Sequence, residues 1–443
     1  MRKVVIIGNG ISGITAARHI RKLSDFEITV ISSETDHFYS RTALMYIYMG
    51  HMKYENIKPY EDWFWEKNKI NLVRKHVSTI DAESRKLNFD DGGQIDFDDL
   101  ILATGSKSNT FGWPGQDLIG VQGLYNYQDL ELMEENSKDI SKSVIVGGGL
   151  IGIEMAEMLL SRQIDVTFLV REENFWDIVL PLEEAQMINR HINEHHVDLR
   201  LATELDEIVS DGSGRVKSVK TKDGDEIDCQ FVGLTVGVSP NIDFVKDSKI
   251  ETDKGILINE FLQTNIEHIY AIGDCAQFRS PLPNRRPIEQ VWYTGRMMGE
   301  TLAHTICGSK TVYNPGIWFN SAKFFDIEYQ TYGHVWAELK EGEESFYWEH
   351  EEGKIGFRVV FDAKDRSVLG FNALGMRLRH EVCDDWLSKK NKVDYVIEHL
   401  EEANFDPEFF SHHEGAIQGA FNKQFPEMEV AVRKKGLLEK ILG

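Results

Sequence analysis

The chain has 443 residues, with 49 Lys and Arg against 72 Asp and Glu, a net charge of −23 at pH 7. With 42% hydrophobic and 11% aromatic residues, it has material for several cores and does not read as a disordered polymer. The acidic balance excludes general nucleic-acid binding, which needs clustered Lys and Arg, and no apolar run approaches the roughly 20 residues of a spanning helix.

Met1-Arg2-Lys3 leads directly into Val4-Val5-Ile6-Ile7-Gly8. That stretch is too short for a signal-peptide core and no small-residue cleavage site follows, so a cytoplasmic setting is expected. The β-branched run predicts a strand. Gly8-Asn9-Gly10-Ile11-Ser12-Gly13 then predicts a tight turn into a helix, and Ile28–Ile31 a second strand. Strand, glycine-rich turn, helix and strand make a βαβ unit. Gly8 permits the turn. Gly10 lets backbone N–H groups at the helix start, Ile11 and Ser12 among them, approach a pyrophosphate. Gly13 lets the helix pack on the strand. An acid after the second strand should hold ribose hydroxyls, and Glu34 is the first available; a solvated loop carboxylate is the plainer reading. Asp99–Leu102 is a buried-strand pattern ending in Ala103-Thr104-Gly105.

The first unit returns at Lys142-Ser-Val-Ile-Val-Gly147-Gly148-Gly149-Leu150-Ile151-Gly152-Ile153, followed by the apolar run Val166–Val170. Here Gly147, Gly149 and Gly152 repeat the three glycine roles, with Leu150 and Ile151 at the helix start. One such motif is a weak signal, but two in full βαβ context make coincidence improbable. Arg171 after the second strand would suit a 2′-phosphate, whereas Glu172 and Glu173 would repel it and could accept from ribose hydroxyls, so the pattern leans to NADH over NADPH. Two further strand patterns end in the glycine turns of Gly237 and of Gly273-Asp274, and an apolar-periodic helix is predicted from Gln290 onward. The four cysteines, Cys229, Cys275, Cys307 and Cys383, form no Cys-x-x-Cys pair. They read as reduced thiols, and no metal centre is expected.

This combination resembles the two-dinucleotide-binding-domain flavoproteins, the pyridine nucleotide–disulfide reductase superfamily in its broad sense, over roughly residues 1–340. The resemblance implies that the first unit binds FAD and the second NADH or NADPH. It implies FAD contacts at Ala103, Thr104 and Gly105, at Val77, at Gly237, and at Gly273 and Asp274; helix capping by Asp274 is a compatible alternative. His37-Phe-Tyr-Ser-Arg41-Thr42-Ala-Leu44 resembles the Tyr-x-Arg stretch of ferredoxin, rubredoxin and nitrite-reductase-type reductases. That likeness implies that Arg41 and Thr42 contact FAD, the alternative for Arg41 being a surface salt bridge. Val291 and Trp292 would sit at the pyrimidine edge of the flavin, with core packing the rival for Trp292. Glu154 matches a family glutamate at the flavin–nicotinamide contact and is the candidate catalytic residue, the alternative being an early-helix acid favoured by the macrodipole. The first cysteine is Cys229, so the thiolate mechanisms of the disulfide reductases are excluded.

The expected fold is α/β, with two Rossmann-like dinucleotide-binding domains and a C-terminal α+β domain. Residues 1–110 and 238–312 form the FAD domain, 111–237 the NAD(P) domain, and 313–443 a C-terminal interface domain with an extension. Alternation in Lys354–Phe361 and Val368–Asn372 predicts an antiparallel hairpin. The expected activity is NAD(P)H-dependent reduction of a redox acceptor, with an iron–sulfur electron-transfer protein as the partner and a homodimer as an arrangement the interface domain would allow. The alternative is a flavin-bearing redox sensor of the apoptosis-inducing-factor-like type, with slow turnover. Arg279, Arg285 and Arg286 are the expected docking cations for an acidic acceptor, against a plainer reading as a solvated loop. The basic amphipathic pattern of Leu437, Leu438, Ile441 and Leu442 with Lys434, Lys435 and Lys440 suits packing on the protein better than membrane-surface docking.

Overall fold

A computed structural model describes residues 1–405 and 411–432. The amphipathic pattern at 434–442 therefore lies outside the described residues. They divide into two compact units. One comprises Met1–Gly147, Met155–Val166 and Leu205–Pro315; the other comprises Gly148–Glu154, Thr167–Glu204 and the described residues from Gly316 on.

The first unit is built on a parallel five-stranded sheet in the order Ile269–Ala271, Asp99–Leu102, Lys3–Ile7, Glu27–Ser32, Ile70–Arg74. Val4, Val5, Ile6, Ile28, Val30, Ile31, Leu100, Ile101 and Leu102 are all buried, the continuous apolar pattern of strands covered on both faces. The helix Ile11–Leu23 packs on the helix Trp292–Ile306. Their approach depends on Gly299, where a Cβ would lie 2.6 Å from the Ser12 carbonyl oxygen. Smaller sheets attach to this body: antiparallel strands Val77–Asp81, Lys86–Phe89 and Gln94–Asp96, and a two-stranded ladder of Ser106–Ser108 with Val238–Pro240. The strand Lys142–Val146 pairs in parallel with Phe231–Leu234, which pairs with Val121–Gln122.

In the second unit Asp165–Leu169 pairs in parallel with Asp198–Arg200. A five-stranded antiparallel sheet runs in the order Phe319–Phe324, Ile327–Gly333, Val368–Leu374, Gly356–Asp362, Glu343–Glu349, and contains the hairpin expected from alternation. Phe357, Val359, Phe361 and Phe371 face a core with Trp386, Leu387, Val396, Ile397, Ile417 and Phe421 of the C-terminal helices. Arg358 points the other way, to the helix Leu182–Glu194. Glu184 of that helix is fully buried, yet each of its oxygens is satisfied: Arg358 Nε donates at 2.8 Å and Asn372 Nδ2 at 2.7 Å. Burial pushes the Glu184 carboxyl up, only partly offset by Arg358, so this contact depends on all three partners being present.

Candidate functional site

Neighbouring parallel strands of the first unit end side by side. Gly8 N donates to Ile31 O, Ala103 N to Ile7 O and Ile272 N to Leu102 O, at 2.8, 2.8 and 2.9 Å. The turns at Gly8–Gly13, Ala103–Gly105 and Gly273–Asp274 are thereby gathered at the carboxyl edge of the sheet, where open parallel sheets hold ligands.

The glycines differ in what surrounds them. Gly8 has φ +114°, and a Cβ there would lie 2.0 Å from the Ala103 carbonyl oxygen. A Cβ on Gly13 would lie 2.1 Å from the Gly8 oxygen and 3.1 Å from the Ile6 side chain. Gly10, in ordinary extended conformation before the helix, faces open space, with nothing within 4 Å of a Cβ position. Two glycines are demanded by the fold, and the third leaves a cradle at a helix N-terminus, the shape and partial charge that receive a pyrophosphate. Ser12 closes the far side, its Oγ lying 2.3 and 2.4 Å from Cβ positions on Gly273 and Gly295.

Around the cradle the structure brings several expected residues together. Glu34 is part-buried against Arg41, which donates to it through Nη1 at 3.1 Å and Nη2 at 2.7 Å. Tyr39 Oη and Tyr127 N also donate to Glu34 Oε1. Burial raises the Glu34 carboxyl, but the Arg41 charge and these donors outweigh it and hold the group below the ordinary range. Oε1 has three donors and Oε2 one, so Oε2 keeps acceptor capacity for a hydroxyl. Arg41 Nη1 further donates to Tyr125 O at 2.6 Å, and its guanidinium stacks 4.6 Å from the Tyr125 ring.

Asp274 accepts from Ser106 Oγ at 3.1 Å and faces Tyr125 Oη at 3.4 Å. Desolvation is the largest influence and raises its carboxyl above the usual range. Gln290 Nε2 donates to Ser106 Oγ at 2.8 Å, joining the start of the Trp292–Ile306 helix to this group. Thr104 Oγ1 donates to Asn241 O at 2.7 Å, and Gly237, at φ +85°, accepts from Asn109 N. Val291 caps the helix, and Trp292 on its first turn is part-exposed, outside the packed core. Val77 is buried in the core through its side chain and Thr42 is exposed. Tyr125, Tyr127, Ser106 and Gln290 belong to this cluster and carry no motif that would have singled them out.

The second glycine-rich turn joins the strand Lys142–Val146 to the helix Leu150–Ser161. Gly147 has φ +112°, with a Cβ position 2.6 Å from the Thr235 carbonyl oxygen, while nothing lies within 4 Å of one on Gly149. It thus repeats the demanded glycine and the open one. Leu150, Ile151, Gly152 and Glu154 all fall in the first turns of the helix. Past the following strand, Arg171 Nε donates to Glu172 Oε1 at 2.6 Å, with Arg171 largely exposed.

Of the three expected docking cations, Arg285 is misplaced by the sequence reading. Its side chain is only 8% exposed and pairs through Nε and Nη2 with Glu289, 4% exposed. Arg279 is bound to Glu251, and Arg286 is exposed. Glu289 is only four residues along, but the segment is a loop interrupted by Pro287, so helical spacing does not announce the pair.

Parallel sheets ending in glycine turns, each with an open cradle at a helix start, define a dinucleotide-binding α/β protein. The chain belongs to the pyridine nucleotide-disulphide oxidoreductase family, whose model matches residues 2–299; FAD and NADH or NADPH are the cofactors of that membership. A nitrite reductase [NAD(P)H] of Bacillus subtilis is 32% identical over 282 residues, 63% of this chain and 35% of that protein, so the chain spans about a third of that relative. A ferredoxin–NAD(P)(+) reductase of a Sphingomonas species is 29% identical over 375 residues, 82% of this chain and 88% of its own length. The crystal structure of a ferredoxin reductase from Rhodopseudomonas palustris superimposes with a TM-score of 0.77 at 23% identity, covering 85% of this chain and 91% of that one. No helix among the described residues is long and apolar enough to cross a membrane.

Proposed function

We propose that the chain is a flavoprotein reductase that takes hydride from NADH or NADPH and passes electrons to a small electron-transfer protein, with residues 1–110 and 238–312 holding FAD and 111–237 the nicotinamide nucleotide. The single observation that carries this reading is the pair of open glycine cradles combined with the burial of three of the four thiols, Cys307 being half-buried. Cys229, Cys275 and Cys383 are buried, and burial pushes the Cys275 thiol up while its Sγ faces the Leu102 and Ile272 carbonyls. Such thiols are poor nucleophiles and cannot relay electrons as a dithiol does. Bound FAD accepts two electrons from a nicotinamide and can release them singly.

In this reading the chain's own residues do the positioning. Gly10 and the N–H groups of Ile11 and Ser12 receive the pyrophosphate. Glu34 Oε2 accepts from the ribose, with its carboxylate held in place by Arg41 and Tyr39. Asp274 and Thr104 border the ribityl side, and the helix start at Val291 and Trp292 offers partial positive charge where reduction builds negative charge. Glu154 and the Gly149 turn serve the nicotinamide nucleotide. The relatives named as ferredoxin and nitrite reductases support an iron–sulfur acceptor, and a cytoplasmic setting suits four free thiols.

The deciding experiment is NADH oxidation by the purified yellow protein, with a ferredoxin, a rubredoxin and an aromatic disulfide as alternative acceptors, before and after iodoacetamide. The expected result is turnover with an iron–sulfur protein, unaffected by alkylation. Turnover with the disulfide that alkylation abolishes would overturn it, as would a colourless protein that binds no flavin.

A further inference from the structure

The second unit places two imidazoles and a carboxylate around one point. His191 and His195 lie one helical turn apart at the end of Leu182–Glu194, with ring centroids 4.7 Å apart. Asp326 sits in the tight turn between the strands Phe319–Phe324 and Ile327–Gly333. Its Oδ1 is 2.5 Å from His191 Nε2 and 3.0 Å from His195 Nε2. One ligand atom from each of the three lies within 4.8 Å of the others.

A second observation points into the same space. His191 is 1% exposed, and neither ring nitrogen makes a well-directed hydrogen bond, in spite of the close carboxylate oxygen. A buried polar atom without a partner is costly. His195 Nε2 hydrogen-bonds Asp326 Oδ1 at 3.0 Å, while the buried His191 Nε2, converging on the same oxygen, is left without a well-directed partner, an arrangement that suits ligands around an ion. His191 Nδ1 faces the other way, to Glu194 Oε2 at 3.5 Å, which is where a metal-bound imidazole finds the carboxylate that orients it.

We propose that His191 Nε2, His195 Nε2 and Asp326 Oδ1 form a site for one divalent transition-metal ion of the zinc class, with water completing four ligands. Nitrogen and oxygen donors of this kind suit zinc and place it about 2.0–2.1 Å from each ligand. Tetrahedral ligands at that radius stand roughly 3.3 Å apart, so each nitrogen–oxygen pair, now at 2.5 and 3.0 Å, needs to open by less than an ångström, and Asp326 is on an exposed turn able to follow. The charges agree. Asp326 and Glu194 both face the Lys354 ammonium, whose Nζ is 3.3 Å from Glu194 and 3.9 Å from Asp326. The helix C-terminus adds negative partial charge. His195 is held by stacking on Phe325 at 4.2 Å. The ion would clasp the helix to the sheet turn, near the buried Glu184–Arg358 contact of the same helix and sheet.

The test uses untagged, flavin-loaded protein stripped with a chelator and titrated with zinc chloride by calorimetry, with magnesium chloride in parallel. One zinc per chain is expected, with a raised thermal midpoint and no comparable response to magnesium. His195→Ala and Asp326→Asn, both at exposed positions, should each weaken zinc at least about 30-fold with flavin content unchanged. Glu194→Gln should weaken it about tenfold, and Lys354→Met should tighten it. Fewer than about 0.2 zinc per chain in the wild type, variants that bind as the wild type does, or equal binding of magnesium would each overturn the site.

Discussion

The two glycine-rich turns share a plan and differ in the residues beyond the second strand of each unit. In the first unit the acid proposed for ribose, Glu34, is enclosed by Arg41, Tyr39 and the Tyr127 backbone. In the second the arginine is the residue that differs: Arg171 is 73% accessible, against 30% for Arg41, and its carboxylate partner is its chain neighbour Glu172. An enclosed, pre-oriented carboxylate suits a cofactor that stays, because its ordering cost is met on folding. A solvent-facing arginine suits a nucleotide that exchanges every turnover. The same strand–turn–helix can therefore serve a resident group or a substrate, according to the residues that flank it.

The strongest way to break this comparison is inside the first turn. Gly13→Val forces a side chain into the Gly8 carbonyl and Ile6. It should cost several kcal/mol, at least about 3, and leave little folded protein by circular dichroism. Gly10→Leu meets open space and a backbone any residue can adopt. It should fold with a near-normal melting midpoint yet retain less than about a tenth of the flavin, because the side chain occupies the pyrophosphate cradle. If Gly10→Leu keeps its colour, the cradle is not the FAD site.

Gly149→Leu should leave flavin content intact and slow NADH-driven flavin reduction about a hundredfold, by displacing the nucleotide from its aligned position. Stopped-flow reduction, followed by flavin absorbance, measures it. Equal loss of flavin from this variant would end the distinction between resident and exchanging turns.

Much of the shared plan was legible in the sequence. The repeated glycine spacing specified where each strand ends and each helix starts, and the hairpin in the C-terminal sheet followed from alternation. The surroundings of the turns were not legible. Tyr125 and Tyr127 reach Glu34 and Arg41 from more than eighty residues away, and neither carries a motif. Asp326 meets His195 across 131 residues, a meeting that nothing local to either residue announces and that the expectation of no metal centre passed over. Long-range side-chain meetings depend on how sheets stack, which local pattern does not encode. Arg285 erred in the opposite direction, since its partner Glu289 is local and takes it out of the surface.

A finer test concerns nucleotide choice. Neutralising Glu172 and Glu173 together frees Arg171 and removes repulsion of a 2′-phosphate, so the ratio of kcat/KM for NADPH over NADH should rise about five- to tenfold, the size of roughly 1 kcal/mol at an exposed site. An unchanged ratio would mean that the pair does not face the adenosine end of the nucleotide.

The smallest expected effect is at the acceptor. The chain carries −23, so an acidic redox protein is repelled at long range unless cations gather where it docks. Arg285 cannot serve: its guanidinium is bound to Glu289 in a nearly dry contact, and Arg285→Glu should destabilise the loop by about 3–5 kcal/mol by setting two buried carboxylates together. Arg286 is the exposed neighbour. Its reversal to Glu should slow reduction of an acidic ferredoxin about two- to fivefold in low salt. The defect should vanish near roughly 0.5 M salt, because a surface charge is screened within a few ångströms there. Ferricyanide reduction, measured on the same preparation, should fall by much less, since a small oxidant needs no docking face. A salt-independent defect, or equal slowing with both acceptors, would place Arg286 outside the docking surface and move the search to the other exposed cations of the first unit.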